Sequence, residues 1–205
     1  MRKMYLSPPL PFVGQKRMLA KEFMKVLEQY PDGTLFVDLF GGSGLLSHIT
    51  KSLKPHSTVI YNDFDNYRFR MKHIPQTNQL LADIREMVGN SVPRHKIIKG
   101  ELRERIFSRI EQEENSTGYV DFITLSSSIL FSMKYKLSVQ DMRKEALYNN
   151  IRKTGYPECT DYLEGLEIVS CDYKEVFNRY KDIPGVVFLA VSYTHLRAHE
   201  TSAHL

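Results

Sequence analysis

The segment Phe36-Val37-Asp38-Leu39-Phe40-Gly41-Gly42-Ser43-Gly44 constrains the fold of this chain more than any other. Leu35, Phe36 and Val37 run into an acid, then into a glycine-rich turn, then into the helix-patterned Leu45-Leu46-Ser47-His48-Ile49. A buried strand that ends in an acid and a pliable turn is how α/β folds hold an adenosine-containing ligand at the carboxyl edge of a sheet. Glycines in the turn let the backbone come close to such a ligand. The competing reading is a strand–helix turn that is rich in glycine for its own sake, since short glycine motifs recur by chance.

The flanking pattern extends the argument. Pro8, Pro9 and Pro11 keep the first residues extended. Leu19, Phe23, Val26 and Leu27 recur at helical spacing within 16–30, and Pro31-Asp32-Gly33 makes a turn. Leu35–Leu39 is a predicted strand, Leu45–Leu53 a helix and Thr58–Tyr61 a second strand, which together form a βαβ unit and imply a parallel sheet. Lys99–Glu114 and Gln140–Lys153 read as helices, with Val120–Met133 mixing apolar residues and serines between them. Strand character returns at Leu166–Val169 and Val186–Leu189. The fold class predicted is therefore α/β, a Rossmann-like parallel sheet split by a helical insertion. The expected divisions are 1–85, an insertion at 86–165, a return to the sheet at 166–189, and a tail at 190–205.

Three of the predicted strands lead into aspartates, Asp38, Asp63 and Asp172, and the carboxyl ends of parallel strands share one edge. Asp63 lies 19 residues beyond Gly44, near the spacing at which an acid after the second strand meets a ribose hydroxyl. Each aspartate alone reads equally as a turn or helix cap. The formal net charge of +4 permits an anionic partner without requiring one. Cys159 and Cys171 are too few for a disulfide framework or a zinc site, and no apolar run approaches membrane-spanning length, so a cytoplasmic protein is expected.

With Pro11-Phe12-Val13-Gly14-Gln15-Lys16 ahead of Asp38–Gly44, the chain resembles the Dam-type DNA adenine-N6 methyltransferases over residues 8–190. Gln15 stands where that family usually has glycine, and the insertion lacks obvious signature residues. The resemblance implies S-adenosyl-L-methionine as cofactor, double-stranded DNA as substrate, no metal, and a monomer when full length. It places Phe12, Gly14 and Lys16 at the cofactor pocket, and Phe40, Gly41, Gly42, Ser43 and Gly44 beneath the methionine portion. Asp63 would accept from the ribose diol, with Asp172 and Tyr173 near the adenine. Asp38 suits a cationic sulfonium ligand bearing an ammonium group, whereas a dinucleotide pyrophosphate disfavours an acid there. In the insertion Lys134, Lys136, Arg143, Lys144, Arg152 and Lys153, interleaved with tyrosines, become candidate DNA contacts. The reaction implied is methyl transfer to the exocyclic amine of a flipped adenine.

The family's catalytic Asp-Pro-Pro-Tyr is due after Leu189, where the chain instead reads Ala190-Val191-Ser192-Tyr193. Back-translation of 190–201 matches a transposase-type sequencing adapter in one frame, so 190–205 is expected not to be native sequence. On that expectation the catalytic residues are missing and Val186–Leu189 is an uncovered edge. The chain is then a poorly soluble, inactive fragment. The apparent metal-binding spacing of His195, His199, Glu200 and His204 is then accidental. Two other functions compete. One is a dinucleotide-dependent oxidoreductase, disfavoured by Ser47 at the position of the third glycine of Gly-x-Gly-x-x-Gly. The other is a non-catalytic DNA-binding accessory protein on the same scaffold.

Overall fold

A computed structural model describes residues 3–14, 16–131 and 134–189. In chain order its elements begin with a 3-10 turn at Arg17–Leu19, α1 (Ala20–Leu27), β1 (Phe36–Asp38), α2 (Leu45–Leu53), β2 (Val59–Asn62) and α3 (Tyr67–Lys72). Next come α4 (Ile74–Val88), β3 (Ile97–Ile98), α5 (Gly100–Thr117), α6 (Phe122–Ile129), α7 (Val139–Arg143) and β4 (Leu147–Tyr148). The series ends with β5 (Glu167–Val169), α8 (Tyr173–Tyr180) and β6 (Val187–Leu189).

Two compact units emerge. Among the described residues the first comprises 3–8, 14, 16–69 and 159–189; the second comprises 9–13, 70–131 and 134–158. Apart from the short segment 9–13, these divisions fall at 69/70 and 158/159, whereas the sequence-based ones fall at 85/86 and 165/166.

The first unit is built on a four-stranded sheet in the order β5-β2-β1-β6, with every pairing parallel. Phe36, Val37 and Asp38 pair with Val59, Ile60 and Tyr61 on one side and with Val187, Phe188 and Leu189 on the other. Both central strands are buried throughout, as expected of parallel strands covered on two faces. Successive side chains point to opposite faces. Phe36 and Val59 therefore pack with Ala20, Leu27, Leu45 and Ile49 of α1 and α2, while Val37 and Ile60 pack with Val176 of α8. This is a Rossmann-like α/β arrangement, in agreement with the fold class expected from the sequence. Among the described residues β6 forms one border of the sheet.

The second unit is mainly helical. Ile74, Leu80, Leu81, Ile84 and Val88 form the buried stripe of α4, and Ile106, Phe107 and Ile110 that of α5, which packs on it. β3 and β4 form a short antiparallel ribbon. A buried ion pair ties the unit together. Arg70 donates through Nε to both Asp121 oxygens at 3.2 Å and through Nη2 to Pro11 O at 2.8 Å. Asp121 in turn caps α6 by accepting from Thr124 N–H at 3.0 Å.

The expected helix over 140–153 is corrected. Helix α7 stops at Arg143, because Leu147 and Tyr148 pair with Ile98 and Ile97 in the ribbon. Helix α4, fifteen residues long and unforeseen, begins with proline at its first turn, a recognised start signal. Among the described residues no helix is long and apolar enough to cross a membrane. Gln15 and the tail at 190–205, including His195, His199, Glu200 and His204, lie outside the described residues.

Candidate functional site

The carboxyl ends of β1, β2 and β5 carry the predicted acids to one edge of the first unit. The loop after β1 is fixed by what lies beneath it. A Cβ at Gly41 would overlap the edge of the Tyr61 ring and stand 2.8 Å from Asn62 O. Gly44, at φ 70°, begins α2 in the left-handed region. Two fully buried tyrosines reach consecutive carbonyls of this loop. Tyr61 Oη lies 2.7 Å from Gly42 O, and Tyr162 Oη donates to Ser43 O at 3.1 Å. Burial pushes both phenols well above their ordinary range, so both stay protonated. Lys16 Nζ donates to Phe40 O at 3.2 Å. The glycine loop is thus held in place by its own chain before any ligand arrives.

Tyr162 is itself anchored. Its ring stacks on His48 at 4.7 Å, and its carbonyl lies 2.7 Å from His48 Nδ1. Since Nε2 of His48 accepts from Tyr5 N–H at 2.9 Å, the proton belongs on Nδ1.

Asp38 is 0 % exposed, and its Oδ2 accepts from Ser47 Oγ at 2.7 Å. Those two residues, read separately in the sequence as evidence against a dinucleotide, therefore form one buried pair. Asp63, 5 % exposed, accepts from Tyr67 N–H at 2.6 Å and Arg68 N–H at 3.0 Å, so it caps α3. Its Oδ1 also lies 3.0 Å from Tyr61 Oη. A carboxylate offers about four acceptor positions, so capacity remains on Oδ2. Burial raises the Asp63 pKa, against the lowering effect of the hydrogen bonds from Arg68, Tyr67 and Tyr61. Asp172 caps α8 by accepting from Lys174 N–H at 2.8 Å. Tyr173 packs its ring on Phe40 at 5.0 Å.

The structure therefore brings Lys16, Asp38, Phe40–Gly44, Asp63, Asp172 and Tyr173 into the first unit, at or beside one sheet edge. Gly14 also belongs to that unit, with open space where a Cβ would stand, and Phe12 is buried in the second unit. Tyr61, Asn62, Ser47, His48 and Tyr162 were not singled out as site residues by sequence reasoning. Asn62 alone left a signal, a polar residue closing an apolar strand. Among the described residues no group of three or more His, Cys, Asp or Glu is placed to hold a metal ion.

Most of the predicted DNA contacts in the second unit meet acids of their own chain. Lys134 and Lys136 share Glu145 at 2.6 and 3.0 Å, Arg143 pairs with Glu104 and Glu111, and Lys144 pairs with Asp141. Arg152 lies 4.3 Å over the Tyr156 ring, and Lys153 is exposed.

The family model for the D12 class N6 adenine-specific DNA methyltransferases matches residues 12–202. The chain belongs to that family. It is also 38% identical over 192 residues to a Haemophilus influenzae strain Rd protein named "Putative methyltransferase". That alignment covers 92% of this chain and 64% of the relative, so the chain spans just under two thirds of the relative's length. Membership in a methyltransferase family sets the oxidoreductase reading aside.

Proposed function

We propose that this chain forms the S-adenosylmethionine-binding part of an enzyme that methylates N6 of adenine in double-stranded DNA. One observation carries the reading: the buried Tyr61 hydroxyl touches both the glycine loop, at Gly42 O, and the Asp63 carboxylate on the adjacent strand tip. A loop that excludes a Cβ and an acid with spare acceptor capacity fit the two ends of an adenosyl amino acid. Phe40 and Tyr173 supply an apolar wall for the adenine, and Oδ2 of Asp63 accepts from the ribose. The cofactor, when bound, supplies an electrophilic methyl group on a sulfonium. This chain's part is to bind and orient it, because positioning and electrostatics carry such a transfer. Residues 190–193 read Ala-Val-Ser-Tyr in place of Asp-Pro-Pro-Tyr, so the chain lacks the acid that would face the adenine amine, and binding without turnover is proposed. In equilibrium dialysis the chain is expected to retain S-adenosylmethionine but not NAD, with tritium transfer to duplex DNA at background. Retention of NAD, or transfer by a soluble monomer, overturns this reading.

DNA is proposed to meet the second unit at Arg152 and Lys153, together with Arg94, His95 and Lys96. The two segments are joined by hydrogen bonds from Arg94 Nη1 to Ile151 O at 2.7 Å and from Asn149 N to Lys96 O at 2.9 Å. All five side chains belong to exposed residues, and among the described residues none forms an ion pair. The arginines and lysines among them, not neutralised by an acid, release the most counterions on phosphate. Replacing Arg152 and Lys153 by glutamine is expected to weaken duplex binding and reduce the slope of log affinity against log salt by about 2. Replacing Lys134 and Lys144, which already face acids, is expected to change that slope by less. Fluorescence anisotropy across a salt series measures both, and the reverse ranking contradicts the assignment.

A further inference from the structure

Asn62 closes β2 and is 1 % exposed. Three of the four hydrogen bonds its amide can make go to neighbouring backbone. Nδ2 donates to Leu39 O at 3.0 Å and to Cys171 O at 2.9 Å, and Oδ1 accepts from Cys171 N–H at 3.1 Å. Two carbonyls on one side and one N–H on the other determine which way the amide faces. Leu39 follows β1 and Cys171 follows β5, so this one side chain joins the tips of three adjacent strands. Phe40 comes directly after Leu39 and Tyr173 two residues after Cys171, and their rings meet at 5.0 Å with planes 36° apart.

We propose that Asn62 is a positioning residue that sets the separation of Phe40 and Tyr173, and through them the shape of the cofactor's aromatic wall, without touching the cofactor. This rests on reading the strand edge as the S-adenosylmethionine site. Asparagine suits the task because a compact side chain must offer two donors and an acceptor in one plane. Aspartate would turn an acceptor-only group toward two carbonyls, and leucine would leave both carbonyls and the Cys171 N–H without their partner. Buried backbone groups in that state draw the loops apart toward water.

The test is calorimetric titration of S-adenosylmethionine into the wild-type chain and into Asn62→Asp, Asn62→Leu and the milder Asn62→Ser. Leu27→Ala, at the buried last position of α1, serves as a control for lost stability. Asn62→Asp is expected to bind roughly tenfold more weakly at neutral pH, a change equal to one lost hydrogen bond of about 1.4 kcal/mol. Its deficit relative to wild type shrinks as pH falls, because a protonated carboxyl regains one donor for a carbonyl. Asn62→Ser, which keeps one donor, falls between Asn62→Leu and wild type. Leu27→Ala melts lower but binds normally. Wild-type affinity in Asn62→Leu or in a folded Asn62→Ser overturns the assignment, as does an equal loss in Leu27→Ala. A wild-type chain that binds no S-adenosylmethionine instead refutes the underlying cofactor reading, and this inference with it.

Discussion

Gly41→Ala is expected to lower the melting temperature by several degrees and to weaken S-adenosylmethionine binding at least tenfold. The added methyl group would occupy space held by the Tyr61 ring and by Asn62 O, 2.8 Å away. Neither neighbour can yield easily. The Tyr61 ring is fully buried and its hydroxyl is engaged at Gly42 and Asp63, and Asn62 O is backbone at the end of a central strand. Overpacking of this kind costs about 1–3 kcal/mol, and in a chain of this length each kcal/mol shifts melting by roughly 2–4 °C. Relief comes only by lifting the loop off Tyr61, which moves the very segment proposed to cradle the methionine portion. Binding therefore suffers along with stability. Calorimetric melting and ligand titration measure the two effects separately, and a variant with wild-type values in both contradicts the close approach.

Arg70→Met is expected to have the largest effect on folding. It leaves the Asp121 carboxylate, 1 % exposed by side chain, without the guanidinium that holds it at 3.2 Å. Breaking one side of a buried ion pair costs about 3–5 kcal/mol, or roughly 10 °C of melting temperature at this chain length. The double variant Arg70→Met/Asp121→Leu is expected to recover most of the loss, because the uncompensated buried charge is then gone. Recovery stays short of complete by about 1 kcal/mol, the contribution of the Asp121 cap on α6. A double-mutant cycle by thermal melting tests this, and a double variant less stable than Arg70→Met contradicts it.

The strand–turn–helix core was legible from residues alone because periodicity and glycine placement act locally. Leu45–Leu53 is the predicted helix without change, and the parallel strands fall within a residue of where apolar runs placed them. The region over 140–153 misled for the opposite reason: its helical spacing gave way to a ribbon whose partner, Ile97–Ile98, lies some 50 residues earlier. No local pattern reveals such a pairing. The basic residues of the second unit show the same limit, since Arg143 reads as a free cation until Glu104 and Glu111 are seen beside it. Asp63 and Asp172 are both helix caps, as isolated aspartates often are, and capping alone does not distinguish them. What separates Asp63 is Tyr61, a tyrosine within an apolar strand whose hydroxyl links it to the glycine loop. That link is a product of sheet geometry and leaves no mark in the sequence.

The most direct measurement is calorimetric titration of S-adenosylmethionine into this chain and into Asp63→Ala across a pH series. Burial raises the folded-state Asp63 pKa above that of an unfolded aspartate. The folded chain therefore binds the proton more tightly, and the residue's contribution to stability falls as pH rises through the interval between those two values. Cofactor affinity is expected to rise as pH climbs toward the folded-state value and to level off above it, because only the ionised carboxylate offers its full acceptor capacity to the ribose. The predicted result is one site per chain, with wild-type affinity rising with pH up to the folded-state Asp63 pKa, and at least a tenfold loss in Asp63→Ala that removes the pH dependence. Absence of binding heat in the wild type, or equal affinity and pH dependence in the two proteins, would contradict the account.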